Sequence, residues 1–396
     1  MRLVFLAGTV PPAVDGVGDY TCHLAATLRG MGVDARIVTS AGQAGPAPRP
    51  DWVHAMIPRW TGATVVEALG GALPHFRPDW CSFQYVPQLY GPRGLCWAAA
   101  GVPGAVRRAL GCRSAVTFHE IAVAMRPNPK DIFLAAAMRV QARRLLSACD
   151  LAVTTCARYA RELRAAARGG LPVLDIPVGT NIEPRRIEPA ALSVLRHRHG
   201  LDGARVFGVF GRPAGYRNYP TAVRALAHAR RHGLRACLLV LGPWDTVQEA
   251  TAREFWAVAR EHGVTDHIVV AGPLSREAAS AHLRLMDVFL FPQADGVSTR
   301  NTSVMAALAH GLPVVAYAPA PGNFDGYRIP DGTVVTQGNE GAFVEAAVAV
   351  LAAQKPAHPG RNAAYFSEHF SWPGIAARFL EALTAVAAQP AAEPVG

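Results

Sequence analysis

Asp287-Val-Phe-Leu-Phe-Pro292 is followed, two residues on, by Asp295-Gly-Val-Ser-Thr-Arg-Asn-Thr-Ser303 and then by Val304-Met-Ala-Ala-Leu-Ala-His-Gly-Leu-Pro-Val-Val315. A short apolar run passes through a polar loop into an apolar helical stretch and then into a second apolar run. The first run reads as a buried strand, which puts the polar loop at a strand's carboxyl end, where open α/β sheets bind ligands. Thr302 and Ser303 are expected to cap the helix while its first N–H groups face a phosphate, with Arg300 adding a guanidinium fork. A capped helix beside a solvated arginine accounts for the same residues without a ligand.

The same alternation extends in both directions. Apolar runs at Arg2 to Val10, Ala35 to Thr39, Trp80 to Val86, Ser114 to Phe118, Leu151 to Thr154 and Val173 to Ile176 are separated by helical stretches such as Thr21 to Arg29, Asp131 to Ala148 and Ala157 to Arg168. Ile182 to Ala190, with paired prolines and charges and no apolar period, reads as a crossing between domains. Strands then recur at Arg205 to Phe210, Ala236 to Leu241, His267 to Ala271, Val288 to Phe291 and Pro313 to Tyr317. Helices are expected at Pro220 to His232, Val247 to His262, Arg276 to Leu285 and Thr302 to His310. Strand and helix in turn imply parallel sheets covered on both faces, so the fold class is α/β with two doubly wound, Rossmann-like domains facing across a cleft. The tail from Gln389 to Gly396 is expected to be disordered.

A chain of 396 residues, 51% hydrophobic and 17% charged, is longer than one hydrophobic core usually grows, in keeping with two domains. Its seven cysteines form no C-x-x-C pair or His/Cys cluster, which argues against a disulfide framework and structural zinc and for a reducing, cytoplasmic compartment. The apolar start Met1 to Val10 is too short for a signal peptide and leads through Pro11-Pro12 into a glycine loop. No uncharged run approaches the roughly 20 residues of a membrane span. Lys plus Arg exceed Asp plus Glu by 39 − 29 = 10, which favours phosphorylated partners and allows weak attraction to an anionic membrane surface. Nothing points to nucleic acid. Arginine supplies nearly all of the cations, a bias that the coding composition of the source would equally produce.

Several smaller motifs sit at the ends of predicted strands. Gly16 and Gly18, in Asp15-Gly-Val-Gly-Asp-Tyr20, let a backbone approach a ligand just before a helix; a plain βα turn uses glycine in the same way. The motif is neither a full dinucleotide fingerprint nor a P-loop. Gly211-Arg-Pro-Ala-Gly-Tyr-Arg-Asn218 places Arg212 and Arg217 in one loop, where paired guanidinium groups could clamp a diphosphate or simply be solvated. His119 and Glu120 close a strand, so the imidazole reads either as a reacting group or as a hydrogen-bonded structural histidine. Val178-Gly-Thr-Asn181 could present the Asn181 amide or be an ordinary turn. Gln84 is either satisfied in the core or ligand-facing.

Taken in order, Gly16-Val-Gly18-Asp-Tyr, Thr117-Phe-His119-Glu, Pro177-Val-Gly179-Thr-Asn181, Phe210-Gly-Arg212 with Arg217-Asn218, Ala271-Gly-Pro-Leu274 and Ala307-Leu-Ala-His-Gly311-Leu-Pro-Val-Val resemble the family-four glycosyltransferases of the GT-B fold. Phe370-Ser-Trp372 is similar to the start of that family's closing helix, which returns to the N-terminal domain. The resemblance implies an N-terminal acceptor domain over residues 1–184 plus a returning helix over 366–388, and a donor domain over 205–365. It also implies sugar transfer from a nucleotide diphosphate donor without a metal or a further cofactor. His119, Arg212 and Arg217 would be the catalytic group, His119 beside the donor sugar and the arginines on the departing diphosphate. Gly16, Gly18, Gly211, Leu274, Asp295, Ser298, Arg300, Asn301, Thr302 and Ser303 would serve the donor; Gln84, Tyr85, Glu120 and Asn181 would face the acceptor.

The family's two glutamates, which contact the donor sugar and the ribose, align here with Ser298 and Ala306. Ser298, Arg300 and Asp295 are candidates to substitute, whereas Ala306 has no side chain to hydrogen-bond. The expected reaction is retaining transfer to a small polar acceptor of a specialised metabolite. The rivals are a nucleotide-sugar epimerase or hydrolase on the same fold and a non-catalytic nucleotide-sugar-binding protein; a nicotinamide dehydrogenase fits worse because of the incomplete glycine fingerprint.

Overall fold

The computed structural model describes residues 1–13, 15–43, 49–122, 127–167, 169–244, 250–328, 333–336, 339–353 and 359–389. The chain forms two compact units, Met1–Pro177 with Trp372–Gly396, and Val178–Ser371. The expected disordered tail falls, past Gln389, outside the described residues, as does the start of the helix expected from Val247.

The first unit holds a parallel sheet of seven strands: β1 (Arg2–Ala7), β2 (Asp34–Ser40), β3 (Val53–Ile57), β4 (Trp80–Tyr85), β5 (Arg113–Phe118), β6 (Leu151–Thr154) and β7 (Val173–Asp175). Their order is β3-β2-β1-β4-β5-β6-β7. The second unit repeats the plan with β8 (Arg205–Phe210), β9 (Ala236–Leu241), β10 (Ile268–Val270), β11 (Val288–Phe291), β12 (Val314–Tyr317) and β13 (Thr333–Thr336), in the order β10-β9-β8-β11-β12-β13. Both orders grow outward from a first strand and then reverse, between β1 and β4 and between β8 and β11. In such sheets the crevice at the reversal, beyond the strands' carboxyl ends, is where ligands bind.

Central strands are buried on both faces, which is why they read as nearly continuous apolar runs. In β4, alternation sends Cys81, Phe83 and Tyr85 into one core layer with Val4, Leu6, Val116 and Phe118. Ser82 and Gln84 point to the opposite face and are also fully buried. The returning helix Trp372–Ala387 packs on β1, where Phe379 lies 6.1 Å from Phe5, and on the helix Gly16–Gly30, where the Trp372 ring stacks on His23 at 5.0 Å. The Arg113 guanidinium donates to the carbonyls of Val386 (2.5 Å), Ala387 (3.0 Å) and Gln389 (3.0 Å), satisfying the end of that helix.

Several elements depart from the sequence reading. The first helix begins at Gly16, not Thr21, because the Asp15 carboxylate accepts from Gly18 N at 2.9 Å and caps it there. The strand β3 and the helices Gly62–Ala72 and Val102–Leu110 were not expected. β3 is an edge strand carrying half-buried His54, so it lacks the unbroken apolar run of the interior strands. The crossing over Ile182 to Ala190 runs into a helix, Pro189–Arg198, that buries no side chain and so leaves no apolar period.

The first division of the chain lies before the expected boundary at 184, since Val178 N donates to Thr299 O at 3.0 Å and Arg185 N to Ser280 Oγ at 3.0 Å. The second lies after 366. The helix Pro359–His369 stays with the second unit, where Asn362 Nδ2 donates to Leu312 O at 2.8 Å.

Candidate active site

In the second unit two loops leave the strands that flank the reversal, the 211–218 loop after β8 and the 292–301 loop after β11. The latter is held rigidly. Gly296 has φ +68, and a Cβ there would meet Ala318 O at 1.9 Å, so only glycine fits. Asp295 O accepts from Ala320 N at 3.0 Å and from Asn323 Nδ2 at 3.2 Å, while Asn323 O accepts from Thr299 N at 3.0 Å. Asn323 thus fixes the loop from both sides. It was not singled out in the sequence because its partners lie more than twenty residues away.

The helix Thr302–Ala309 starts differently from the expectation. Asn301 occupies the cap position, yet its Oδ1 turns back to accept from Ser298 N at 2.6 Å, and no side chain caps the helix. Thr302 and Ser303 therefore do not cap it; they are its first residues, with Thr302 half-buried and Ser303 buried. An uncapped first turn has N–H groups that an anion can take, and the helix dipole favours negative charge there. Ser298 is buried, Arg300 and Asn301 are half-buried, and the Asp295 side chain is exposed. Ala306 is fully buried inside the helix, so the position where the related family carries its ribose-binding glutamate faces core.

The two arginines of the 211–218 loop separate in environment. Arg212 is exposed, whereas Arg217 is half-buried with Nη1 donating to Phe210 O (3.3 Å) and Tyr219 OH (3.4 Å). The Arg217 guanidinium fills the space a Gly211 side chain would need, 2.6 Å from an ideal Cβ. Its Nε is buried with no hydrogen-bond partner among the described residues, a donor whose desolvation is uncompensated in this state. Leu274 is half-buried and follows Gly272, whose carbonyl accepts from Gly242 N at 3.2 Å.

In the first unit the reversal brings together the ends of β1 and β4. The Tyr90 hydroxyl donates to Gln84 O (2.5 Å) and accepts from Gly8 N (3.1 Å), joining the two strand ends. Gly16 and Gly18 have different roles. A Cβ on Gly18 would meet Thr9 O at 2.8 Å, so this glycine is demanded by packing, whereas nothing lies within 4 Å of one on exposed Gly16. His119, at the end of β5, is buried, with Nε2 3.0 Å from Gln84 Oε1. The Gln84 amide donates to Ser82 Oγ (3.0 Å) and Thr117 Oγ1 (3.3 Å), which orients its oxygen as the acceptor. His119 consequently donates through Nε2. Tyr20 packs edge-on against the imidazole at 4.8 Å and meets Trp372 at 5.5 Å. Burial pushes the Tyr20 phenol far above its usual range, against the opposing pull of Arg378, and its hydroxyl has no hydrogen-bond partner among the described residues.

Two acceptor-side expectations are corrected here. Gln84 is wholly buried and spent on Ser82, Thr117 and His119, and Tyr85 lies in the core layer with its hydroxyl 3.8 Å from Cys96 Sγ. Neither reaches a ligand directly. Glu120 and Asn181 are half-buried, and Asn181 belongs to the second unit. Tyr20, Tyr90 and Asp15 were missed. Tyr20 sits one helical turn past Gly16, a spacing that signals contact only once the helix start is known. Among the described residues no cluster of His, Cys, Asp and Glu is arranged to hold a metal, and no helix is long and apolar enough to cross a membrane.

Two Rossmann-like units of this strand order define the GT-B glycosyltransferase fold, and solved structures similar to this one share it. Sucrose-phosphate synthase from Thermosynechococcus elongatus superposes with a TM-score of 0.75 over 98% of this chain and 99% of that one, at 17% identity. Anabaena HepE, in complex with UDP and glucose, gives 0.71 over 97% of this chain and 100% of that one, at 15% identity. Residues 204–353, most of the second unit, match the family described as glycosyl transferases group 1.

Among curated proteins, the chain is 28% identical over 204 residues to the GDP-mannose-dependent alpha-(1-6)-phosphatidylinositol monomannoside mannosyltransferase of Mycobacterium tuberculosis, covering 50% of this chain and 49% of that protein. The corresponding Mycolicibacterium smegmatis protein is 28% identical over 236 residues, 56% of this chain and 57% of its own length. The chain spans about half the length of the curated relatives it matches.

Proposed function

We propose that the protein transfers a hexose from a nucleoside diphosphate sugar to an acceptor hydroxyl, with the second unit holding the donor. The observation that carries this reading is the pair of loops at the β8/β11 reversal: one brings Arg212 and the half-buried, incompletely satisfied Arg217, the other ends in a helix whose first turn no side chain caps. Together they offer guanidinium and main-chain donors to a diphosphate, whose charge grows as the glycosidic bond breaks. In this reading Arg212, Arg217 and the helix start carry the leaving-group charge without a metal. By the family resemblance, Gly16, with open space over its Cα, and His119, oriented by Gln84, are the first unit's candidates to serve the donor.

Retention follows the family's habit and belongs to the same proposal. The names of the curated relatives favour GDP-mannose as donor. Those names give phosphatidylinositol monomannoside as acceptor, so a sugar or polyol hydroxyl fits alongside the small polar acceptor expected from the sequence.

A thermal-shift comparison of UDP, GDP, ADP and dTDP tests the donor site, since a ligand that binds only the native state raises Tm. GDP is expected to give the largest rise; no shift with any of the four would sink the proposal. Arg212→Ala should lower turnover at least about a hundredfold, the scale of removing one preorganised charge stabiliser. Because Arg212 is exposed, Tm should hold. Full activity in that variant would remove Arg212 from the mechanism.

The burial of Ala306 and the tethering of Ser298 favour one second reading, a protein that binds nucleotide sugars without turning them over. It predicts the same thermal shift with no sugar transfer to any polyol offered and no loss of donor during incubation. Consumption of donor with no acceptor present would instead indicate the epimerase or hydrolase.

A further inference from the structure

The helix Pro129–Leu146 of the first unit buries one side through Ala135, Met138, Gln141, Ala142, Leu145 and Leu146. Its other side leaves large apolar residues in the open: Ile132, Phe133 and Val140 are 46%, 68% and 47% exposed. At about 100° per residue, Ile132, exposed Ala136 and Val140 follow one another along a single stripe, and Phe133 lies beside it. The exposed polar side chains of this helix are Lys130, Arg143 and Arg144, with no exposed acid among them. Its one carboxylate, Asp131, is half-buried and accepts from Asn128 Nδ2 at 2.7 Å, while Arg139 is taken up by Glu162 at 2.9 Å.

Large apolar groups in water, whose exposed charged neighbours on the helix are Lys130, Arg143 and Arg144, are unusual on a surface that meets solvent alone. A nucleic-acid backbone would use the cations but not the apolar stripe. An anionic lipid interface uses both, since apolar side chains enter the acyl boundary while Lys and Arg heads stay among phosphates and carboxylates. We propose that the exposed face of the helix Pro129–Leu146 docks the first unit onto an anionic lipid bilayer. The surface stands independently of the donor chemistry proposed above.

The experiment is flotation of the full chain with unilamellar vesicles, either phosphatidylcholine alone or equal parts phosphatidylcholine and phosphatidylglycerol. The protein should float with the anionic vesicles, release as salt rises, and remain below with the neutral ones. Joint replacement Ile132→Ser and Phe133→Ser should lower partitioning about tenfold or more, the effect of losing two large apolar contacts. A second variant, Lys130→Glu with Arg143→Glu, should abolish the preference for anionic lipid with the apolar stripe intact. All four positions are exposed, so Tm should be unchanged. The proposal is overturned if the protein ignores both vesicle types, if it binds neutral vesicles equally well, or if both folded variants float like the parent. A dimer that the serine variant dissociates, without vesicle binding, would likewise overturn it by assigning the face to a second copy of the chain.

Discussion

Two glycines two residues apart show how much of a site a residue type leaves open. Gly16 and Gly18 carry the same motif in the sequence, but only Gly18 is pressed against the backbone of Thr9 and Val10. Gly18→Ala should therefore cost about 1–3 kcal/mol of stability, the usual scale of overpacking, measured by denaturant unfolding. Gly16→Ala should leave stability within about 0.5 kcal/mol and weaken nucleoside diphosphate binding instead. Equal destabilisation by both would refute the division. His119 and Gln84 illustrate the converse. Each was legible as a polar residue at a strand end, and neither disclosed that one would orient the other, because the bond between them joins neighbouring strands 35 residues apart.

At the scale of elements, apolar runs located the central strands well because those strands are buried on both faces, while edge strand β3 and the surface helix Pro189–Arg198 escaped for want of a buried face. The helix Thr302–Ala309 shows a different kind of gap: its start is set by where the Asn301 side chain turns, a choice between two local acceptor geometries. Its far end carries a titratable anchor. The His310 Nδ1–H donates to Ala306 O (2.8 Å), and Nε2 accepts from Ser280 Oγ (2.8 Å), which in turn accepts from Arg185 N (3.0 Å). Burial holds the His310 pKa below its ordinary value, with Arg284 adding to the effect and the Ala306 carbonyl opposing it. A folded pKa below the unfolded one means that the unfolded chain takes up the proton first. This contribution is thus intact above about pH 6.5 and is lost as pH falls below it. Urea titrations between about pH 7.5 and 5 should show unfolding free energy declining with acidity, less steeply in His310→Gln. An unaltered slope in that variant would discharge His310 from the role.

At the scale of the whole molecule, the chain completes its first unit with its last described helix. Ile375, Phe379 and Leu383 of Trp372–Ala387 are fully buried there. Removing residues from Trp372 onward should cost the first unit about 5 kcal/mol or more, at about 1.5–3 kcal/mol per large side chain, a sum comparable to the stability of a typical domain. Calorimetry should then lose the first unit's transition and keep that of the second; two undisturbed transitions would contradict the assignment. The sequence alone determined the α/β class, the duplication of the sheet plan and the loops that carry the arginines and glycines, because burial on both faces and strand-end turns leave local signals in residue type and period. Only the tertiary structure decided that Tyr85 and Ala306 are core, that Gln84 serves His119, that Asn301 leaves its helix uncapped and that Asn323 holds the loop. These depend on partners brought together by folding, and a side chain's hydrogen-bonding capacity does not specify which distant partner will satisfy it.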